Sequence, residues 1–228
     1  MAEGAQAVRE ALTWGQVHEI FATPAAAERH PDLAAGASLI TERAAAGLTE
    51  TVTPQGILAV CDLVDVPLER ALSGPPRLVA VLVGVSDPGN AGTVIRVADA
   101  AGADAVILAG DTVDPHNGKC VRATAGSLFH LPITRSRDIS AALTACRAAG
   151  LNLVGADGHA NDALDSANLT EPIAWVFGSE AHGLPDEVRP LLDHALRVPL
   201  YGHAESLNLA TAAAVCLYAS AIAQQRVE

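Results

Sequence analysis

Two polar residues, Ser206 and Asn208, stand where a strand-like run ending at Pro199 passes through a loop holding Gly202 into an apolar stretch, residues 207–222, with the length and alanine content of a buried helix. The first N–H groups of a helix have no partner inside it, so such a junction can hold the polar end of a ligand. Ser206 in this setting reads as the N-cap, a role that needs no ligand. Asn208 falls inside the expected first turn, where its side chain is not required by the helix.

Two further segments share this character. Residues 77–110 read as a buried strand, a loop through Asp87, Pro88, Gly89 and Asn90, a helix carrying Arg96, and a second buried strand. That strand-helix-strand unit favours a parallel sheet. Residues 173–188 repeat the pattern: a short apolar strand, then Gly178, Ser179 and Glu180, then Gly183 and a Pro185 that suits the first turn of a helix. Each loop alone is an ordinary capped turn. Ligands of open α/β sheets collect beyond the carboxyl ends of the strands, however, so all three loops are expected on one rim. Together they carry Asn90, Arg96, Glu180, Ser206 and Asn208, and three such loops in one chain favour a ligand site.

The segments NAGTVIR (90–96), FGSEAHGL (177–184) and VPLYGHAESLNLATAAA (198–214) resemble the three signature motifs of the SpoU/TrmH family, in the family's order and across roughly residues 77–228. Members of this family are S-adenosylmethionine-dependent RNA ribose 2′-O-methyltransferases of the SPOUT class. The resemblance implies methyl transfer; composition and periodicity do not. It implies that Gly178, Val198, Leu200 and Leu207 hold S-adenosylmethionine. Asn90, Arg96, Glu180, Ser206 and Asn208 would form the catalytic set, with Arg96 as the family's catalytic arginine, and Lys119 and Arg122 would face the RNA. His182 and His203 lie in the motif loops and could touch a ligand. The implied fold is α/β, a parallel sheet whose C-terminal part forms a deep trefoil knot, in a homodimer joined through the knot region.

Net charge points the other way from an RNA-binding surface. Lys and Arg number 14 against 26 Asp and Glu, a formal charge of −12, whereas phosphate neutralisation calls for a basic footprint. Weak intrinsic RNA affinity is therefore expected, with Lys119, Arg122, Arg135 and Arg137 as its cationic stretch. Half of the residues are hydrophobic and only 3% aromatic, so the core must be built from Ala, Val and Leu. The four cysteines, Cys61, Cys120, Cys146 and Cys216, have no paired metal-ligand spacing and read as buried reduced thiols of a cytoplasmic chain. The histidines form no metal set. No secretory signal is legible at the N-terminus, and Asn208, Thr211 and Ser220 break the apolar C-terminal run, so no membrane span is expected.

The chain divides into two units. Residues 1–66 carry a helix near 3–12, a strand in VHEIFAT, a helical ITERAAAGLTE and a strand in QGILAVCDLV, a small α/β substrate-binding domain. Residues 67–76, with Gly74, Pro75 and Pro76, read as a linker, and 77–228 as the methyltransferase domain. The first unit resembles the ribosomal-protein-like RNA-binding domain of family members, without the Arg/Lys-rich arm that relatives carry ahead of it. The function implied is 2′-O-methylation of ribose in structured RNA, ribosomal RNA ahead of transfer RNA. The rival readings are a non-catalytic RNA-binding or assembly protein keeping the fold, and a small-molecule enzyme, for which no dinucleotide motif, P-loop or nucleophile elbow is present.

Overall fold

The computed structural model describes residues 1–49, 51 and 53–225, so the last residue of the ITERAAAGLTE segment and the last three of the second domain lie outside it. The first unit is a four-stranded sheet in the order β1-β4-β2-β3, built from β1 (Ala2–Glu3), β2 (Val17–Ala22), β3 (Ser38–Leu39) and β4 (Ile57–Cys61). Helices α1 (Ala5–Trp14), α2 (Pro24–Arg29) and α3 (Glu42–Leu48) complete it. The expected first helix is displaced by two residues. Ala2 and Glu3 pair with β4 instead, and Gly4, at φ 92°, makes the turn between strand and helix that a side chain would resist.

The second unit is a seven-stranded sheet in which every pairing is parallel, in the order β7-β6-β5-β10-β8-β11-β9. Its central strands are β5 (Leu78–Val83), β10 (Ile173–Phe177) and β8 (Asn152–Ala156), flanked by β6 (Ala105–Ala109), β7 (Ile133–Ser136), β11 (His194–Arg197) and the short β9 (Asp162–Ala163). Strand period decides the layers. Leu78, Ala80 and Leu82 face one core, with α5 (Pro88–Ala100), α6 (Gly118–Thr124) and α8 (Leu209–Gln225). Val79, Val81 and Val83 face the other, with α4 (Leu68–Ala71) and α7 (Ile139–Ala148). Burial on both faces is why these strands read as unbroken apolar runs.

The segment read as a linker is not free of the sheet. Within it Ala71 and Leu72 are buried in the second core, and just before it the Val66 N–H donates to Ile133 O at 2.9 Å and Asp65 bridges to Ile133. Two other expectations are corrected. No α-helix follows Pro185: the chain makes turns and one 3-10 turn over Arg189–Leu191, because Pro190 disfavours the α conformation at Arg189 and removes a helical N–H. Nor does Ser206 cap α8. That helix starts at Leu209, and its cap is Asn208, whose C=O accepts the Ala212 N–H at 2.9 Å and whose Oδ1 accepts from Ala210 N at 2.9 Å and Thr211 N at 3.3 Å. Among the described residues no helix is long and apolar enough to cross a membrane.

Candidate active site

Beyond the carboxyl ends of β8, β10 and β11 lies a cavity of about 610 Å³, within the span of about 300–1,000 Å³ usual for small-molecule sites. Residues 156–158 form one wall, 177–180 with Gly183 a second, and 205–209 with Val198 and Leu200 a third. All four residues expected to hold the cofactor, Gly178, Val198, Leu200 and Leu207, are on these walls, as are Glu180, Ser206 and Asn208, and Asn90 lines the cavity beside them. The second wall depends on a close backbone approach. Ser179 and Gly183 exchange N–H···O bonds of 3.0 and 2.9 Å, which folds the loop back on itself. A Cβ at Gly178 would lie 2.1 Å from the Gly183 carbonyl, and Gly183 itself has φ 66°, so both positions need glycine.

One hydrogen-bonded chain ties the three motif segments together. The Oδ1 of Asn208 faces the two N–H groups at the start of α8, so its Nδ2 must point away, and it donates to Asn90 Oδ1 at 3.0 Å. The amide of Asn90 is thereby oriented: its Nδ2 donates to Glu180 Oε1 at 2.9 Å. Asp87, the N-cap of α5, accepts the Asn90 N–H at 2.8 Å and fixes the backbone of that residue. The chain runs from the positive end of a helix to a carboxylate, and no amide in it can flip without breaking two bonds.

The cationic candidates are placed differently. Arg96 is exposed on α5, off the cavity walls, and forms no hydrogen bond or ion pair among the described residues. Lys119 Nζ is 2.7 Å from Asp87 Oδ2, one helix cap away from Asn90; this hydrogen bond, ahead of the Asn90 N–H, holds the Asp87 carboxyl below its usual range. Arg122 reaches the first domain, where it meets Glu3 Oε2 at 2.7 Å with the Glu3 side chain 8% exposed. Arg135 is paired with Asp65 and Asp114. His182 and His203 are exposed and do not line the cavity.

A model of the SpoU rRNA methylase family matches residues 77–218. The chain belongs to the SpoU rRNA methylase family. Among curated relatives, it is 40% identical over 220 residues to the Bacillus subtilis 23S rRNA (guanosine(2553)-2′-O)-methyltransferase RlmP, covering 95% of this chain and 86% of that protein. It is 33% identical to the Bordetella pertussis 23S rRNA (guanosine-2′-O-)-methyltransferase RlmB, covering 76% and 73%. Among solved structures, the SpoU methyltransferase AviRb of Streptomyces viridochromogenes in complex with AdoMet superposes with a TM-score of 0.85 at 29% identity, covering 99% of this chain and 90% of that one.

The SpoU signature segments supply two of the three cavity walls. The wall beyond β8 lies outside them, and its residues Asp157 and Gly158 escaped the sequence reading. The only signal was positional: Asp157 ends an apolar run, NLVGA, just where a parallel strand meets the ligand rim. Burial alone would raise the Asp157 carboxyl, but hydrogen bonds from His159 N–H and Arg189 outweigh it and hold the group below the usual carboxylate range.

Proposed function

We propose that this protein methylates a ribose 2′-hydroxyl of ribosomal RNA with S-adenosylmethionine as donor. The observation that carries the reading is the bonded set Glu180–Asn90–Asn208, which joins the three SpoU segments at the wall of a ligand-sized cavity. Ribosomal RNA is favoured over transfer RNA because the two relatives described above, which cover 95% and 76% of the chain, are named as 23S rRNA methyltransferases.

The cavity fits the donor: apolar side chains of Val198, Leu200 and Leu207 offer surface to a base, and the Gly178 loop presents backbone. When bound, S-adenosylmethionine supplies an electrophilic methyl group on a sulfonium. The protein must then orient the hydroxyl and manage its proton. Glu180 has one carboxylate oxygen committed to Asn90 and the other open to a hydroxyl donor. Arg96 carries a guanidinium, which offers N–H donors and no acceptor, so its task is to hold the neighbouring phosphate and stabilise the developing alkoxide. Lys119 and Arg122 flank the RNA side through their partners Asp87 and Glu3. Residues 1–66 form the substrate-binding domain and 77–228 the methyltransferase domain.

We include the trefoil knot and the homodimer in this reading. After β11, near the β9 edge of the sheet, the chain turns back through 198–208 past the cavity to reach α8, which packs in the core shared with α5; this return supports a threaded C-terminus. On α8, Val215, Tyr218 and Ile222 are 39%, 44% and 47% exposed at the i, i+3, i+7 spacing of one helix face, an apolar stripe suited to a second copy. A cytoplasmic location follows from a ribosomal substrate. Incubation with S-adenosylmethionine and unmodified 23S rRNA, followed by mapping of 2′-O-methyl groups, tests the function. A single new methylated ribose is expected. No transfer to ribosomal RNA alongside transfer to tRNA would overturn the substrate class.

A further inference from the structure

Asp157 follows β8 directly and lines the cavity, with its side chain only 8% exposed. Its Oδ1 accepts the His159 N–H at 3.0 Å, and its Oδ2 is paired with Arg189. The carboxylate is therefore fixed in direction. A carboxylate has about four acceptor positions, and two of them are taken here. Acceptor capacity thus remains on a wall otherwise made of backbone and apolar side chains. Of the other carboxylates at the cavity, Glu180 has one oxygen on Asn90 and, in the reading above, its other oxygen serves the substrate hydroxyl, and Glu205 stands in an exposed loop.

A vicinal diol is the ligand chemistry that fits. Its two O–H groups need acceptors and bring no charge, and Arg189 has already balanced the charge of Asp157. An ammonium group would instead compete with the guanidinium. In dinucleotide-binding α/β sheets, an acidic residue near a strand end takes ribose hydroxyls for the same reason. We propose that Asp157 binds the ribose diol of the adenosine part of S-adenosylmethionine and that Arg189 is the residue that positions it. This rests on the cavity being the S-adenosylmethionine site.

The test is calorimetric titration of the full chain with 5′-methylthioadenosine, which lacks the amino acid, with its 2′,3′-dideoxy analogue, and with S-adenosylhomocysteine. The unsubstituted protein is expected to prefer the diol over the dideoxy compound by about ten- to hundredfold, as suits hydrogen bonds to a charged acceptor. In Asp157→Ala that preference should shrink to about threefold or less. Arg189→Gln should narrow it partway, and Arg189→Lys should restore it. Damage to the fold would weaken both methylthioadenosine compounds together and leave their ratio intact, so the ratio isolates the contact. An unchanged ratio in Asp157→Ala would overturn the proposal, as would a loss confined to S-adenosylhomocysteine, which would assign Asp157 to the ammonium. Absence of binding of any of these ligands to the unsubstituted protein would overturn the donor site itself, an outcome distinct from both.

Discussion

Asn208 does two tasks with one amide, and they can be separated. Its oxygen caps α8 while its nitrogen donates to Asn90. Asn208→Asp keeps an acceptor that caps about as well but has no donor for Asn90 Oδ1. Unfolding free energy should change by less than about 0.5 kcal/mol, whereas methyl transfer should drop by about tenfold or more, the effect of losing one positioning hydrogen bond. Asn208→Ala should lose activity and also about 1 kcal/mol of stability. Denaturant titration beside a transfer assay reads both, and an active Asp variant would remove the relay from the mechanism. Arg96→Ala should lower transfer by about a hundredfold, the scale of one lost preorganised stabilising group, with S-adenosylhomocysteine affinity unchanged because Arg96 is off the cavity walls. Parallel loss of affinity and turnover would make the residue structural instead. Asn90, Glu180 and Asn208 stood out in the sequence as polar residues in loops that follow apolar strands, and the structure bonds the three together. The sequence could not show that Lys119 and Arg122 have carboxylate partners 32 and 119 positions away, because pairing at such separations leaves no local pattern.

At the scale of elements, the walls of the cavity are set by backbone approach more than by side chains. In Gly178→Ala the new methyl would meet the Gly183 backbone at 2.1 Å, and neither strand of that turn can yield without breaking the Ser179–Gly183 pair. A cost of about 3 kcal/mol, high in the usual single-substitution range, corresponds to roughly a hundredfold loss of S-adenosylhomocysteine affinity. Calorimetry checks it; near-normal binding would show that the loop can shift. The seam between the domains carries a titrating group. His130, 26% exposed, sits between Asp99 at 2.8 Å and Glu10 of α1 at 3.2 Å, with the Trp14 ring edge-on at 5.7 Å. Burial alone would lower its pKa, but the carboxylate hydrogen bonds outweigh burial and raise it. A raised folded-state value gives stability that is fully present below the unfolded value of about 6.5 and is lost as pH rises through the folded value. Unfolding free energy measured from about pH 5 to about pH 9 should therefore fall more for the native chain than for His130→Asn; parallel profiles would show that the seam does not titrate. Strands and their parallel order were legible because burial on both faces writes apolar runs into β5, β6 and β10. Helix starts were less so: Ser206 and Asn208 are both good caps, and only the helix itself chooses between them.

The whole molecule must bind a polyanion with a charge of −12, and the first domain offers no electrostatic relief. Residues 1–66 hold nine Asp and Glu against three Arg, a balance of −6, half of the total. Cations are also largely committed within the protein. Among the described residues, Arg43, Arg70, Arg96 and Arg137 alone of the Lys and Arg side chains make no ion pair or hydrogen bond. Exposed pairs such as Lys119–Asp87 are worth about 1 kcal/mol or less and can open, but each then leaves its carboxylate facing the RNA. Recognition must accordingly draw on shape, the 2′-hydroxyl and base contacts more than on phosphate neutralisation. The measurable consequence is a shallow salt dependence. With log affinity falling by about 0.7–0.9 per neutralised phosphate against log salt, roughly four available cations limit the slope to about −4. Filter-binding or fluorescence titrations of a 23S rRNA fragment over a range of salt concentrations give that slope directly. A value of about −6 would mean that Lys119, Arg122 and Arg135 abandon Asp87, Glu3 and Asp65 for phosphate, and that the domain seam at Glu3 opens when RNA binds.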